Sequence, residues 1–281
     1  MKKDATFVYI VGGNEEHYTN LHNSIRSIKR LIGNAKIKVF EFGNKLTTCA
    51  DYVVVNQPEL DFSKKKVGYQ FWRQKYYAAI NIDTEWGVYV DSDTVLANDI
   101  FDSLFDQLNG KIGSAQHFYV PTISAFFYKA VPAENHDLFL DLCNEFDVSS
   151  QATFFSGGVF LFQNTEENKT FFAKLLEAYD TFYLKNDQYV KGITDEVFFS
   201  MVDTNRTINL GGHVNHCSMG EEHMHLKLNE ETNTLEGKNP FDNEFKPVLF
   251  LHCDINRRDP SQSYEGALKS LIIDLFHGEQ K

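Results

Sequence analysis

An α/β fold is predicted here, with a doubly wound, mostly parallel sheet, helices on both faces and an antiparallel addition late in the chain. Three observations predict it. Short apolar runs rich in Val, Ile, Tyr and Phe alternate with longer stretches whose apolar residues recur at helical spacing. The runs are nearly continuous rather than alternating, as expected of strands buried on both faces. At 281 residues with 42% hydrophobic content, the chain can bury the large core such a sheet needs.

Taken in order, residues 6–11 read as a first strand running into Gly12-Gly13, and Tyr18, Leu21, Ile25 and Ile28 then follow at helical spacing. Strands are predicted at 37–40 and 52–55, a helix over 67–82, a strand at 87–90 and a short helix near 99–108. A strand at 111–117, a helix over 135–146, a strand at 159–162 and helices over 166–183 and 195–202 come next. A hairpin through 223–236 and a last strand at 248–251 complete the pattern. With no repeat, low-complexity tract or linker, residues 1–281 read as one domain.

Composition narrows the function classes. The net charge is −12 and the basic clusters, Lys64-Lys65-Lys66 and Arg257-Arg258, are short, so bulk nucleic-acid binding is disfavoured. No segment reaches the ~20 apolar residues of a membrane span, and the apolar run at 7–11 is shorter than a signal-peptide core. Cys49, Cys143, Cys217 and Cys253 are scattered without a C-x-x-C pair, which fits reduced thiols and a cytoplasmic setting.

In open α/β sheets ligands sit outside the carboxyl ends of the strands. The stretch WGVYVDSDTVL runs a buried strand into Asp91 and Asp93, separated by Ser92. Two residues apart in an extended chain, both carboxylates point to one side, an arrangement a divalent cation makes sense of. Asp, Ser and Thr also simply end strands and cap turns. Gly12-Gly13 is no G-x-G-x-x-G fingerprint and no G-K-[ST] exists, so neither a Rossmann dinucleotide site nor a P-loop is supported. Just before the strand at 159 stands Ser156-Gly157-Gly158, and straight after the last strand stands His252. With Asp91 and Asp93, His252 makes a set of two carboxylates and one imidazole that suits Mn²⁺, with Mg²⁺ the alternative. His252 is otherwise a hydrogen-bonded rim residue, and Asp195-Glu196 otherwise a complement to a helix dipole. His213, His216, Cys217, His223 and His225 crowd one segment, but their spacing matches no zinc finger, so a structural or acceptor-loop role is favoured.

The order Tyr18-x-x-Leu21-x-x-Ser24-Ile25, a helix with Arg73, YVDSDTVLANDIFDSL, FSGGVFLF, TDEVFF and FLHCDINRR resembles the GT-A glycosyltransferases, most closely family 8. It spans residues 7 to about 258, and the stretch from Arg73 through WGVYVDSD also resembles family 32. The resemblance implies an enzyme that moves a sugar from a nucleotide-sugar donor, UDP-linked by preference, to an acceptor hydroxyl with retained anomeric configuration. It implies Mn²⁺ on Asp91, Asp93 and His252, and donor binding by Tyr18, Gly12, Ser92, Gly157, Gly158 and Arg258. Catalytic positions then fall on Asp195, Glu196 and Arg73. Two departures stand out: Arg258 replaces an expected lysine, and Glu196 stands where an amide is usual. The acceptor, whether glycan, protein or modified base, is not implied. Asp91-x-Asp93-x-Val95-Leu96 also fits the nucleophile motif of haloacid-dehalogenase-like phosphohydrolases, although no second acidic metal motif follows. A nucleotidyltransferase and a non-catalytic sugar-binding protein are the remaining alternatives.

Overall fold

The structure is a computed structural model that describes residues 1–62, 67–117, 120–186, 190–217, 225–238 and 244–252. Its elements in chain order are β1 (Ala5–Val11), α1 (Glu15–Leu31), β2 (Lys36–Glu41), β3 (Val53–Asn56), α2 (Val67–Trp72), α3 (Gln74–Ile80), β4 (Trp86–Val90) and β5 (Thr94–Leu96). Then come α4 (Phe101–Leu108), β6 (Ile112–Gln116), α5 (Ile123–Ala130), α6 (His136–Glu145), β7 (Phe155–Gln163), α7 (Glu166–Asn186) and α8 (Asp195–Met201). The chain continues through β8 (Thr207–Asn209), β9 (Asn215–Cys217), β10 (His225–Asn229), β11 (Thr234–Lys238), β12 (Phe245–Pro247) and β13 (Phe250–His252). Among the described residues no helix is long and apolar enough to cross a membrane.

The main sheet has the order β3-β2-β1-β4-β7-β6-β8. Strands β1 to β4 pair in parallel, while β7 runs antiparallel to both β4 and β6. Two reversals restore direction, so β6 points the same way as β4, and the start of β7 sits beside their carboxyl ends. That edge gathers the functional residues. The strands are buried on both faces: Val8 and Ile10 of β1 face a core shared with α3, α7 and α8, and Phe7, Tyr9 and Val11 face one shared with α1 and α4. Helix α1 forms where its spacing predicts, burying Tyr18, Leu21, Ile25 and Ile28. The Asn14 side chain caps it by accepting from the His17 N–H, with Glu15 and Glu16 in the first turn and Lys29 and Arg30 in the last.

Two small three-stranded sheets flank this body, one ordered β10-β11-β12 and the other β5-β13-β9. The first contains the expected hairpin, joined by β12. The second was not expected, because β5 and β9 are too short to carry a pattern; it places His252 inside β13 rather than after it. The helix expected over 67–82 is divided at Arg73, although the Arg73 N–H still bonds to the Tyr69 carbonyl at 3.4 Å. Helix α5 was also missed: its sequence, ISAFFYKA, offers no clear polar face.

Candidate active site

The strand-end edge is built outward from Asp91. Its backbone N–H donates to the Gly158 carbonyl at 2.7 Å, continuing the β4–β7 ladder by one residue. The Tyr89 hydroxyl donates to Asp91 Oδ1 at 2.7 Å, and the Thr94 hydroxyl closes the following turn on the Asp91 carbonyl at 2.9 Å. Ser92 and Asp93 occupy that turn, so the alternation expected of an extended chain does not hold here. Asp91 faces Tyr89 and Lys75, whereas Asp93 faces His252, with Nε2 3.3 Å from Oδ2. This second meeting is the work of the small sheet, because β13 pairs with β5 in a register that sets His252 opposite Thr94.

Lys75 is the residue the sequence reading missed. It is 7% exposed, and its Nζ lies 3.3 Å from Asp91 Oδ1, 3.0 Å from Asp195 Oδ2 and 3.4 Å from the Gly157 carbonyl. Burial disfavours the ammonium, but Asp195, Asp91 and Glu196 outweigh it and hold Lys75 above the ordinary lysine range. One signal was present in the sequence: Lys75 shares the inward face of α3 with Ala78 and Ala79, where a charge without a buried partner would be costly.

Asp195 and Glu196 open α8, and both reach the cluster. Glu196 Oε1 accepts from the Gly157 N–H at 2.8 Å, and the Tyr76 hydroxyl donates to the Asp195 carbonyl at 3.0 Å. Burial and the Asp195 charge push the Glu196 carboxyl up to about 7. Burial opposes charge on His252 as well, yet Asp93 overrides it and raises the imidazole to about 9. Asp93 is correspondingly lowered by His252 against the effect of burial.

The Gly157–Gly158 pair is the floor on which these groups converge. A Cβ on Gly157 would stand 3.0 Å from Glu196 Cγ and 3.1 Å from Asp195 Oδ2. One on Gly158 would stand 2.9 Å from Asn215 Nδ2, 3.1 Å from Asp91 Oδ2 and 3.6 Å from His252 Cε1. Side chains there would make Glu196, Asp195, Asn215 and Asp91 give way by a few tenths of an ångström, so glycine lets these groups approach the strand closely. Asn215 in turn donates to Ser156 Oγ at 3.0 Å.

Other expected site residues lie outside this cluster. Tyr18 is buried, its hydroxyl donating to Glu41 Oε1 at 2.6 Å while Lys45 Nζ lies 4.9 Å from its ring centroid. Its hydroxyl and one ring face are thus engaged by the protein itself. Gly12 is likewise covered: Phe62 Cζ would be 2.5 Å from a Cβ there. Arg73 turns away from the carboxylates that Lys75 joins and forms a bidentate pair with Asp180 of α7. Arg258 and His223 lie outside the described residues. His216 packs on Gly237, with ring atoms 2.7 Å from where a Cβ would be, and burial lowers it to about 4. Among the described residues no three His, Cys, Asp or Glu side chains, Asp91, Asp93 and His252 included, are grouped closely enough to hold a metal as they stand, and the side chains of Cys217, His223 and His225 lie outside the described residues.

No family model matches the sequence, and no curated protein does. Solved structures do match. The galactosyltransferase LgtC in complex with donor and acceptor sugar analogs aligns over 95% of both chains with a TM-score of 0.56 at 11% identity. An active-site variant of LgtC aligns over 96% of this chain and 94% of its own, with a TM-score of 0.58 at 12% identity. The apo form of the bifunctional glycosyltransferase WbbM aligns over 78% of this chain but 40% of its own, with a TM-score of 0.50 at 14% identity. With the parallel sheet and the strand-end carboxylates, this likeness establishes that the chain has the GT-A glycosyltransferase fold of LgtC.

Proposed function

We propose that this protein is a glycosyltransferase that uses a divalent cation to move a sugar from a UDP-sugar to an acceptor hydroxyl, with retention of configuration. The observation that carries the reading is the meeting of Asp91 and Asp93, from the turn after β4, with His252 of β13 on one sheet edge, beside Lys75, Asp195 and Glu196. The donor and the stereochemistry rest on the family 8 resemblance and on the absence of a Rossmann or P-loop signature.

Two carboxylates and an imidazole suit Mn²⁺ better than Mg²⁺, which favours oxygen ligands. Gly158, without a side chain, leaves room beside Asp91 and His252. A bound cation would exchange the present pairings for ligand bonds. Asp93 gives up its partner readily, because its side chain is 37% exposed and water already screens the pair. Such a cation supplies charge neutralisation for the departing diphosphate.

The remaining tasks fall to the chain. Lys75 provides a fixed cation toward which negative charge can build, beside Arg258, which the sequence reading assigns to the diphosphate. Asp195 and Glu196 line the side where the donor sugar would sit, and Glu196, near neutral pH, can hold or accept a hydrogen bond from a sugar hydroxyl. One domain over 1–281 carries the reaction in a cytoplasmic setting, which suits the exposed thiol of Cys49. The phosphohydrolase alternative is not favoured, since the solved structures that resemble the chain over nearly its whole length are glycosyltransferases.

The test is thermal melting with UDP and Mn²⁺, with UDP and a chelator, and with Mn²⁺ alone. UDP at about 100-fold over its Kd adds about 2.7 kcal/mol, a shift of several degrees, and the chelator removes most of it. Equal stabilisation with and without metal overturns the metal-dependent reading. Breakdown of UDP-, GDP- and CMP-sugars under the same conditions identifies the donor.

A further inference from the structure

The two oxygens of Asp91 stand in different surroundings. Tyr89 and Asp91 are two residues apart where the β4–β7 ladder is still extended, so both side chains leave the same side of the strand. The Tyr89 hydroxyl donates to Oδ1 at 2.7 Å. Lys75 Nζ favours neither oxygen, lying 3.3 Å from Oδ1 and 3.4 Å from Oδ2. Oδ2 is turned to Gly158, where a Cβ would stand 3.1 Å from it and 3.6 Å from His252 Cε1. The phenol therefore ties back one oxygen, and the other borders the space that His252 also borders.

The phenol is itself held in place. Its ring is fully buried and stacks on Phe160 with centroids 4.8 Å apart, and Lys75 Nζ lies 5.5 Å from its centroid. Turned elsewhere, the hydroxyl would be a buried donor without an acceptor, and its bond to a carboxylate is charge-assisted and so among the stronger kinds. The Asp93 and His252 side chains, by contrast, are both partly in water. Asp91 is thus the fixed member of the set, and Asp93 and His252 are the ones that close on it.

This asymmetry bears on which cation fits. Ca²⁺ takes about 6–8 oxygens in a flexible shell and often both oxygens of one carboxylate, whereas a smaller octahedral ion is satisfied by one. Asp91 can lend its second oxygen only by breaking the bond from Tyr89. We propose that Tyr89 makes Asp91 a one-oxygen ligand and so sets the preference of the site for Mn²⁺ over Ca²⁺. Tyr89 touches no cation in doing this and is a positioning residue. The inference rests on the metal-dependent reading above and adds the source of its metal choice.

Titration with Mn²⁺ alone, read by loss of the free-ion EPR signal, and with Ca²⁺ as competitor tests it. The wild-type protein should hold Mn²⁺ at least tenfold more tightly than Ca²⁺. Tyr89→Phe keeps the buried ring and removes only the hydroxyl. It should weaken Mn²⁺ about tenfold, the lower end of the usual effect of removing a ligand's hydrogen-bond partner, while Ca²⁺ binds as well as before or better. The preference for Mn²⁺ then falls at least tenfold. Equal weakening of both ions, or no change in either, gives Tyr89 a merely structural role and overturns the inference, as does a wild-type protein that binds the two ions alike, a result that needs no variant. A wild-type protein that binds no Mn²⁺ overturns the metal-dependent reading and this inference together, whereas Mn²⁺ binding with an unchanged preference in Tyr89→Phe overturns the inference alone.

Discussion

The two ends of the central sheet handle charge in opposite ways. At the end where β1 and β2 start, ion pairs sit in water: Lys36 with Asp4 at 2.6 Å, both side chains 58% exposed, and Lys38 with Asp83 at 3.2 Å. At the carboxyl end, the Lys75 and Asp195 side chains are 8% and 6% exposed, and Asp91, Asp93, Glu196 and His252 crowd around them. Exposed pairs contribute about 0–1 kcal/mol each and can be lost without consequence. Buried charges lose more in desolvation than most pairs return, so their presence is poor evidence of a stabilising purpose. Here the carboxylates Asp91, Asp93, Asp195 and Glu196 also outnumber the cationic groups Lys75 and His252, an imbalance that favours a further cation. The comparison teaches that the carboxyl end gathers buried charge at some expense of stability, as the proposed chemistry requires.

The sharpest way to break this comparison is Asp93→Asn. Turnover of donor with Mn²⁺ should fall by about three orders of magnitude or more, while stability falls by no more than about 1 kcal/mol, because the pair lost with His252 is more than a third exposed on the Asp93 side. Unchanged activity per folded molecule would make the carboxylates structural.

A smaller effect is expected from substituting one lysine at each end. Lys75→Met leaves Asp91 and Asp195 facing each other without their shared cation and should cost about 3–5 kcal/mol in urea unfolding. Lys36→Met should cost less than about 1 kcal/mol. Equal losses would mean that the two ends do not differ as described.

The third prediction concerns pH. The Glu196 carboxyl is held at about 7 against an ordinary 4.5, so its ionisation is penalised in the folded state. Stability therefore falls as pH rises from about 4.5 through 7, and the penalty is complete above that range. Glu196→Gln should melt higher than wild type at pH 8, by on the order of 1–2 kcal/mol, with the difference gone near pH 4.5. A difference that grows toward acid would reverse the sign and remove Glu196 as a strained group.

Much of the fold was legible because its signals are local. Seven consecutive buried residues in β1, an Asn cap before a regular apolar stripe in α1, and a buried run ending on Asp91 each declare themselves within a few residues. The three-residue strands β5, β8 and β9 did not, since so short a piece has no periodicity and exists only through its partners. The site divides the same way. Asp91, Asp93, Gly157, Gly158, Asp195, Glu196 and His252 were all picked out by their positions at strand or helix ends, and the structure gathers them.

The sequence alone determined which residue types stand at the ends of which elements, because strand and helix periodicity are read off neighbours in the chain. It could not determine their partners. Arg73 and Lys75 are two residues apart, about 200° around a helix, so one had to face the carboxylates and the other a different wall. Nothing near either residue says which. The choice rests on Asp180 in α7 and Asp195 in α8, distant segments that only the packing of those helices against the sheet brings within reach.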